Sequence, residues 1–224
     1  MGYYIDLSKI SLEQFREKLA NGELLPSQQI LKDDLDERFQ KIKDQNINNM
    51  NELKQALKTK AQINKFAATT FLPIDYLTIL RREVNSYHPQ ARKIKDFPCL
   101  SAKTIKGLAA IGIKTTVELY EQIVTKAARK KLQEKLGITS KEALLLAKLT
   151  DVSRVRYINQ AFATLLINSE YDTIQKINQA DFEELYQQLS TINQEKGYFR
   201  GKIFLKDMKY LIKDTENVSF EIEY

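Results

Sequence analysis

Apolar residues along this 224-residue chain recur mostly at three- and four-residue steps, the spacing of helices that bury one face. Three stretches share one apolar frame. Phe39, Ile42, Ile47 and Leu53 set it out, Ile105, Leu108, Ile113 and Leu119 repeat it, and Ala163, Leu166, Tyr171 and Ile177 repeat it again. The offsets are three, five and six residues in each. A three-residue step stays on one helical face, whereas a five-residue step breaks helical phase, so each stretch predicts helix, turn, helix. The turns fall at 46–49, 112–115 and 170–173. Asn46 and Gly112 tolerate the left-handed backbone that ends a helix. Asn49 and Thr115 are suited to cap the helix that follows, with Glu52 and Glu118 three residues on, where a capping-box Glu belongs. In the third stretch Lys176 takes that place, and Asp172 with Gln175 predicts the cap one residue earlier.

Other punctuation predicts further helices. Ser11 with Gln14 opens one that Gly22 ends, and Ser27 after Pro26 opens one running to about Gln45. Pro73 opens a helix over 75–87, stopped by Pro89. Thr139 with Glu142 opens another, and Asp181 with Glu184 opens a long one that Gly197 ends. Leu205, Met208, Leu211 and Ile212 form the stripe of a last helix over 205–215. Near the two ends the pattern changes. Val218, Phe220, Ile222 and Tyr224 alternate with Ser219, Glu221 and Glu223, and Tyr3, Tyr4 and Ile5 favour strands. A lone strand cannot satisfy its backbone, so a small two-stranded β-ribbon pairing the termini is expected. The stretch 88–98, with two prolines and three basic residues, is the best linker candidate. The chain thus predicts an all-α protein of tandem repeats. Its parts are an N-terminal arm over 1–26, units over 27–90 and 91–149, and a third unit with a C-terminal helix and tail over 150–224.

Composition agrees: 43% apolar residues suffice for a core, and Gly (7) and Pro (4) are scarce. One cysteine, Cys99, cannot form an internal disulfide or a thiolate metal cluster, so a cytoplasmic location is expected. One histidine, His88, removes most zinc and acid–base arrangements. No apolar run reaches the roughly 20 residues a membrane helix needs, and no export signal is expected. There is no Gly-rich phosphate loop, no G-x-S-x-G and no Cys pair, so neither enzyme activity nor a cofactor or metal is expected. His88 reads as a helix-end residue and Cys99 as a buried, inert thiol lacking a base. The run Asp33, Asp34, Asp36, Glu37 lacks calcium-loop spacing and reads as the acidic first turn of a helix.

Charge is unevenly spread. Residues 61–150 carry 16 basic and 7 acidic side chains, a net of +9, while residues 1–60 are neutral and residues 151–224 are net −3. A local basic field is the footprint of a polyanion site or of a plain solvated helical face.

The stretches TDVSRVRYINQAFATLLINSEYDTIQKI (150–177) and ADFEELYQQLSTINQEKG (180–197) resemble a bacterial family of unknown function built on helix-hairpin-helix units, domain of unknown function 4332. FPCLSAKTIKGLAAIGIKTTVEL (97–119) looks like another copy, and residues 28–87 match only through the repeat frame. The resemblance implies a helical tandem array, no catalysis and, by analogy of fold, a nucleic-acid contact. Such units hold phosphate on backbone N–H groups of a Gly-x-Gly hairpin at a helix N-terminus. This chain departs from that pattern. The two glycine positions are Cys99 and Ser101 in the second unit, Tyr157 and Asn159 in the third, and Asp33 and Leu35 in the first. The second unit is therefore the best candidate, with Ser101, Lys103, Lys106 and Lys114 at the hairpins and Lys126, Arg129, Lys130 and Lys131 on the next helix. Arg154 and Arg156 flank the third. The expected function is a non-enzymatic binding module contacting nucleic-acid backbone. The alternative is a protein–protein adaptor or scaffold with degenerate hairpins.

Overall fold

Side-chain oxygens one residue ahead of the apolar stripes open most of the helices, as the sequence predicts. A computed structural model describes residues 2–224. The helices are α1 (Leu12–Asn21), α2 (Leu35–Lys43), α3 (Met50–Ala56), α4 (Lys60–Thr70), α5 (Ile74–Ser86), α6 (Ala102–Ala110), α7 (Thr116–Tyr120), α8 (Lys126–Leu136), α9 (Ser140–Val152), α10 (Gln160–Ile167), α11 (Ile174–Asn178), α12 (Phe182–Lys196) and α13 (Leu205–Thr215). Short 3-10 turns lie at Leu7–Lys9, Pro26–Leu31 and Ile94–Asp96. Among the described residues no strand forms, and no helix is long and apolar enough to cross a membrane. Ser11, Thr59, Thr115 and Thr139 each close a reciprocal capping box, satisfying two otherwise orphaned donors apiece.

The chain divides into two compact units, Asp6–Tyr87 and the residues up to Ile5 joined with His88–Tyr224. The division between Tyr87 and His88 lies close to the expected boundary at 90, and positions 26 and 149 fall inside the two units. The arm over 1–26 is not separate, because α1 packs on α2 through Phe15 and Phe39. In the Asp6–Tyr87 unit the helix expected from Ser27 to about Gln45 is broken. Its first part is the 3-10 turn, then Asp34 adopts a left-handed backbone (φ 45) and α2 begins. The break turns Leu31 fully inward, and the Arg38 guanidinium donates to the freed Ile30 carbonyl at 3.1 Å. Ile42, Met50, Leu53, Leu77 and Leu80 complete the core of this unit.

In the other unit α9 is the central element. It is apolar nearly all round, with Ala143, Leu146, Ala147, Leu149 and Val152 buried, and such a helix has to be surrounded. Leu146 and Ala147 pack with Leu108, Leu119, Tyr120, Ile123 and Leu132 from α6–α8. Leu149 and Val152 pack with Leu166, Ile177, Leu185, Leu189 and Met208 from α10–α13. The segment 88–98 is no linker: Ile94 and Phe97 are buried in these two cores.

The three apolar frames lie on α2–α3, α6–α7 and α10–α11. Ile42, Leu108 and Leu166 are fully buried on the first helix of each pair, and Ile47 and Ile113 sit inward at the turns. Tyr171 is only half-buried, its ring packed at the edge of its core. Asn46 and Gly112 are left-handed as expected (φ 60 and 84). The caps of the second helices are equivalent: Asn49, Thr115 and Thr173 each accept the N–H three residues on. Thr173 therefore displaces Asp172 from the expected role, and Asp172 instead pairs with Lys148 and Lys176.

A further repeat is not visible in the sequence. An isolated antiparallel bridge joins Ser11 to Asn49 in the first frame and Lys93 to Thr115 in the second. Its bonds are Leu12 N–H to Asn48 O (2.8 Å) and Met50 N–H to Ile10 O (3.0 Å), matched by Ile94 N–H to Lys114 O and Thr116 N–H to Arg92 O (both 2.9 Å). These two-bond clamps are the nearest approach to sheet structure. The expected ribbon between the termini is not seen: residues 218–224 form no strand, Ile222 is buried, Phe220 and Tyr224 are exposed, and the Glu223 N–H donates to the Val124 carbonyl.

Truncating Leu108 or Leu166 to Ala is expected to cost about 2–5 kcal/mol, because each leaves a cavity in a closed core. Tyr171→Ala should cost less. Chemical denaturation of the three variants checks the order.

Candidate nucleic-acid interface

Between residues 88 and 150 the chain carries thirteen basic and five acidic side chains. The fold sorts them by exposure. Lys103 and Lys106 stand exposed on α6, Lys114 at the turn after it, and Lys126, Lys130 and Lys131 on α8. None of these six is in an ion pair among the described residues. The Asp6–Tyr87 unit differs: Arg16 pairs with Glu13 and Asp36, Arg38 with Asp34, and Lys41 with Glu37. Helices α6 and α8 are neighbours, with Leu136 in van der Waals reach of Gly107 and the Lys103 ammonium 3.5 Å from the Gly137 carbonyl.

Three of the basic residues expected at the interface serve the fold. Arg129 is buried and donates to the Ile123 carbonyl at 2.7 Å, tying α8 to the loop before it. Arg156 forms an ion pair with Asp214 at 3.1 Å, both largely covered. Arg154 is fully buried. Its guanidinium lies 3.3 Å from the Asp151 carboxylate, donates to the Tyr3 carbonyl (3.1 Å) and the Ser219 hydroxyl (2.7 Å), and stacks over the Tyr120 ring. Asp151 also accepts the Ile174 N–H (3.0 Å) and the Tyr224 hydroxyl (2.8 Å). Burial pushes the Asp151 carboxyl above the usual range, opposed by these donors. Burial likewise pushes Tyr3 up to about 12, its hydroxyl held by Thr116 and the Ser153 carbonyl.

The backbone donors differ in access. Glu118 accepts the N–H groups of Lys114 (2.7 Å) and Thr115 (2.8 Å), and these bonds hold its carboxyl below the usual range. Glu52 accepts the Asn48 N–H at 2.7 Å. Both turns are therefore filled by their own carboxylates. At the start of α6 the Ser101 hydroxyl accepts the Thr104 N–H (3.0 Å), and the Thr104 hydroxyl donates to Glu142 (3.1 Å). Ser101 is thus an exposed helix cap. Of the positions matched to the hairpin glycines, Tyr157 has the left-handed backbone a glycine would favour (φ 64) and Cys99 does not.

Cys99 is half-buried with its sulfur 3.6 Å from the Thr164 hydroxyl, and burial pushes the thiol up. His88 stacks on Tyr4, with its Nε2 2.8 Å from the Ile5 carbonyl. No cluster of three metal-ligating side chains occurs among the described residues. Sequence reasoning missed the roles of Asp151, Tyr3, Glu221 and Glu223: the hydrogen-bond partners of the last three lie 97 to 151 residues away in the chain, and Asp151 meets Tyr224 73 residues on.

The family described as Domain of unknown function (DUF4332) matches residues 98–217, more than half of the chain, and the chain belongs to it. No curated protein and no solved structure matches.

Replacing Arg154 with Leu is expected to cost about 3–5 kcal/mol, because it strands the Asp151 charge in the interior. Adding Asp151→Asn should recover part of the loss, which a double-mutant denaturation series reads directly. Thr115→Ala, which removes one cap, should cost about 0.5–2 kcal/mol.

Proposed function

We propose that the protein is a non-enzymatic binding module of tandem helix-hairpin-helix-like units that contacts nucleic-acid backbone through the basic surface of α6 and α8. The observation that carries this reading is the set of unpaired, exposed lysines at 103, 106, 114, 126, 130 and 131 on neighbouring elements. Lysines left without carboxylate partners release counterions when phosphates approach, which supplies affinity with little sequence preference. The surface differs from the glycine-hairpin mode of such units. The 114–115 donors are already taken by Glu118, so side-chain ammonium groups carry the contact and Ser101 contributes only at its edge.

A protein adaptor is the second reading. It is favoured by Phe71, which is 86% exposed in a left-handed backbone that a bulky residue adopts only at a cost, and by Ile74, 50% exposed close by.

Changing Lys103, Lys106, Lys130 and Lys131 together to Gln should weaken binding equally across sequences and flatten the salt slope by about one unit for each phosphate left unneutralised. Asp33→Asn with Asp34→Asn should not weaken it. Fluorescence polarisation of labelled single- and double-stranded oligonucleotides from about 50 to 200 mM salt is the test. No binding at the low end, or binding indifferent to the four changes, promotes the adaptor reading.

A further inference from the structure

We propose that helix α13 and the loop before it form a second surface for a polyanion, selective for single-stranded nucleic acid. A lysine stripe on α13 holds phosphates, and the exposed Phe204 ring stacks on a base. This surface is built from other residues than those of α6 and α8, and the two readings fail separately.

Residues 151–224 are net −3, yet their cations are sorted as sharply as those before them. Arg154, Arg156 and Lys176 are in ion pairs. The other six basic residues, Lys196, Arg200, Lys202, Lys206, Lys209 and Lys213, all fall within 196–213. All six are exposed, and none is in an ion pair among the described residues. Asp207 is the one acidic residue in that stretch, and its carboxylate accepts the Phe204 N–H at 3.0 Å. On α13 the residues Lys206, Lys209 and Lys213 follow at steps of three and four, so one face carries a cation on every turn. The other face buries Met208 and Leu211 in the core.

The loop that leads into α13 is pinned. Asn193 donates to the Phe199 carbonyl at 2.8 Å and accepts the Phe199 N–H at 2.7 Å, and the Phe199 ring meets Phe162 edge to face. Gly201 approaches that ring so closely that a Cβ there would stand 2.5 Å from it. Tyr198, Phe199 and Ile203 pack against the core, whereas Phe204 is 50% and Leu205 40% exposed. The Lys206 ammonium lies 5.9 Å from the centre of the Phe204 ring. A fixed, uncovered ring beside a row of cations stacks a base while the phosphates on either side of it meet the ammonium groups. Bases paired within a duplex offer no free face, so the ring adds affinity for a single strand alone. A bilayer also attracts cations set around apolar side chains, but it needs a helix with a free apolar face, and that of α13 already lies in the core. Lys209 lies over Phe182, and beyond it the acidic Glu183 and Glu184 bound the surface.

The test titrates labelled dT oligonucleotides of about 16 residues, single-stranded or paired with dA, from about 50 to 200 mM salt. Melting curves confirm that each variant folds. Phe204→Leu keeps an apolar side chain and removes the ring, and should weaken single-strand binding about fivefold or more relative to duplex binding. Lys206→Gln, Lys209→Gln and Lys213→Gln together should weaken single-strand binding and flatten its salt slope by about two units. Equal effects of Phe204→Leu on the two forms, or indifference to the three lysine changes, overturn the proposal. Binding of duplex alone by the wild type also overturns it and leaves the α6–α8 reading standing. Single-strand binding abolished by the three α13 changes and untouched by those at 103, 106, 130 and 131 supports it and overturns the α6–α8 reading. Absence of binding to either form overturns both, and capture on phosphatidylserine vesicles would then identify a lipid surface.

Discussion

The buried contact between Arg154 and Asp151 is the interaction around which the larger unit is organised. Asp151 lies in the last turn of α9, the helix shared by the two apolar cores, and Arg154 just beyond its end. An ion pair in such a place is tolerable only if its remaining donors and acceptors are satisfied. Arg154 reaches Tyr3 on one side and Ser219 on the other, and Asp151 takes the α11 N-terminus and Tyr224. One pair therefore ties together segments from opposite ends of the sequence that no backbone ladder joins. The cost of desolvating the pair is offset by these hydrogen bonds, which give the unit a fixed arrangement as well as a packed one.

This organisation also decides which positive charges stay exposed. Arg129, Arg154 and Arg156 have planar guanidinium groups that span several acceptors, and the fold uses them internally. The exposed positive surface of α6 and α8 is made of lysines. Lysine is a compact, strongly hydrated charge on a flexible stem, suited to backbone phosphates at no fixed angle and poorly suited to reading base edges. The split between buried arginines and exposed lysines fits a ligand held by charge.

Turn chemistry decides how many backbone donors these turns leave free. In two frames the Glu three residues beyond the cap turns back onto the N–H groups of its own turn. That carboxylate stabilises the second helix and occupies the donors at the same time. The capping box and the anion site are built from the same backbone groups, and here the capping box holds them.

Local features of the fold were legible in the sequence because they depend on neighbours in the chain. The caps at Ser11, Asn49, Thr115, Thr139 and Asp181 and the left-handed Asn46, Gly112 and Gly197 each follow from one residue and those within four positions of it. The three apolar frames were legible for the same reason. Tertiary structure alone decided what happens where distant segments meet. It tied the alternating residues of 218–224 to distant groups by side-chain hydrogen bonds instead of a strand, drew 88–98 into the cores, broke the helix at Asp34 beside the buried Leu31, and took three arginines from the basic surface. A period of two says which side chains share a face, and a run of positive charge says where cations lie along the chain. Neither says which backbone groups or carboxylates the folded chain brings within 3 Å, and that proximity separates a structural arginine from a free one.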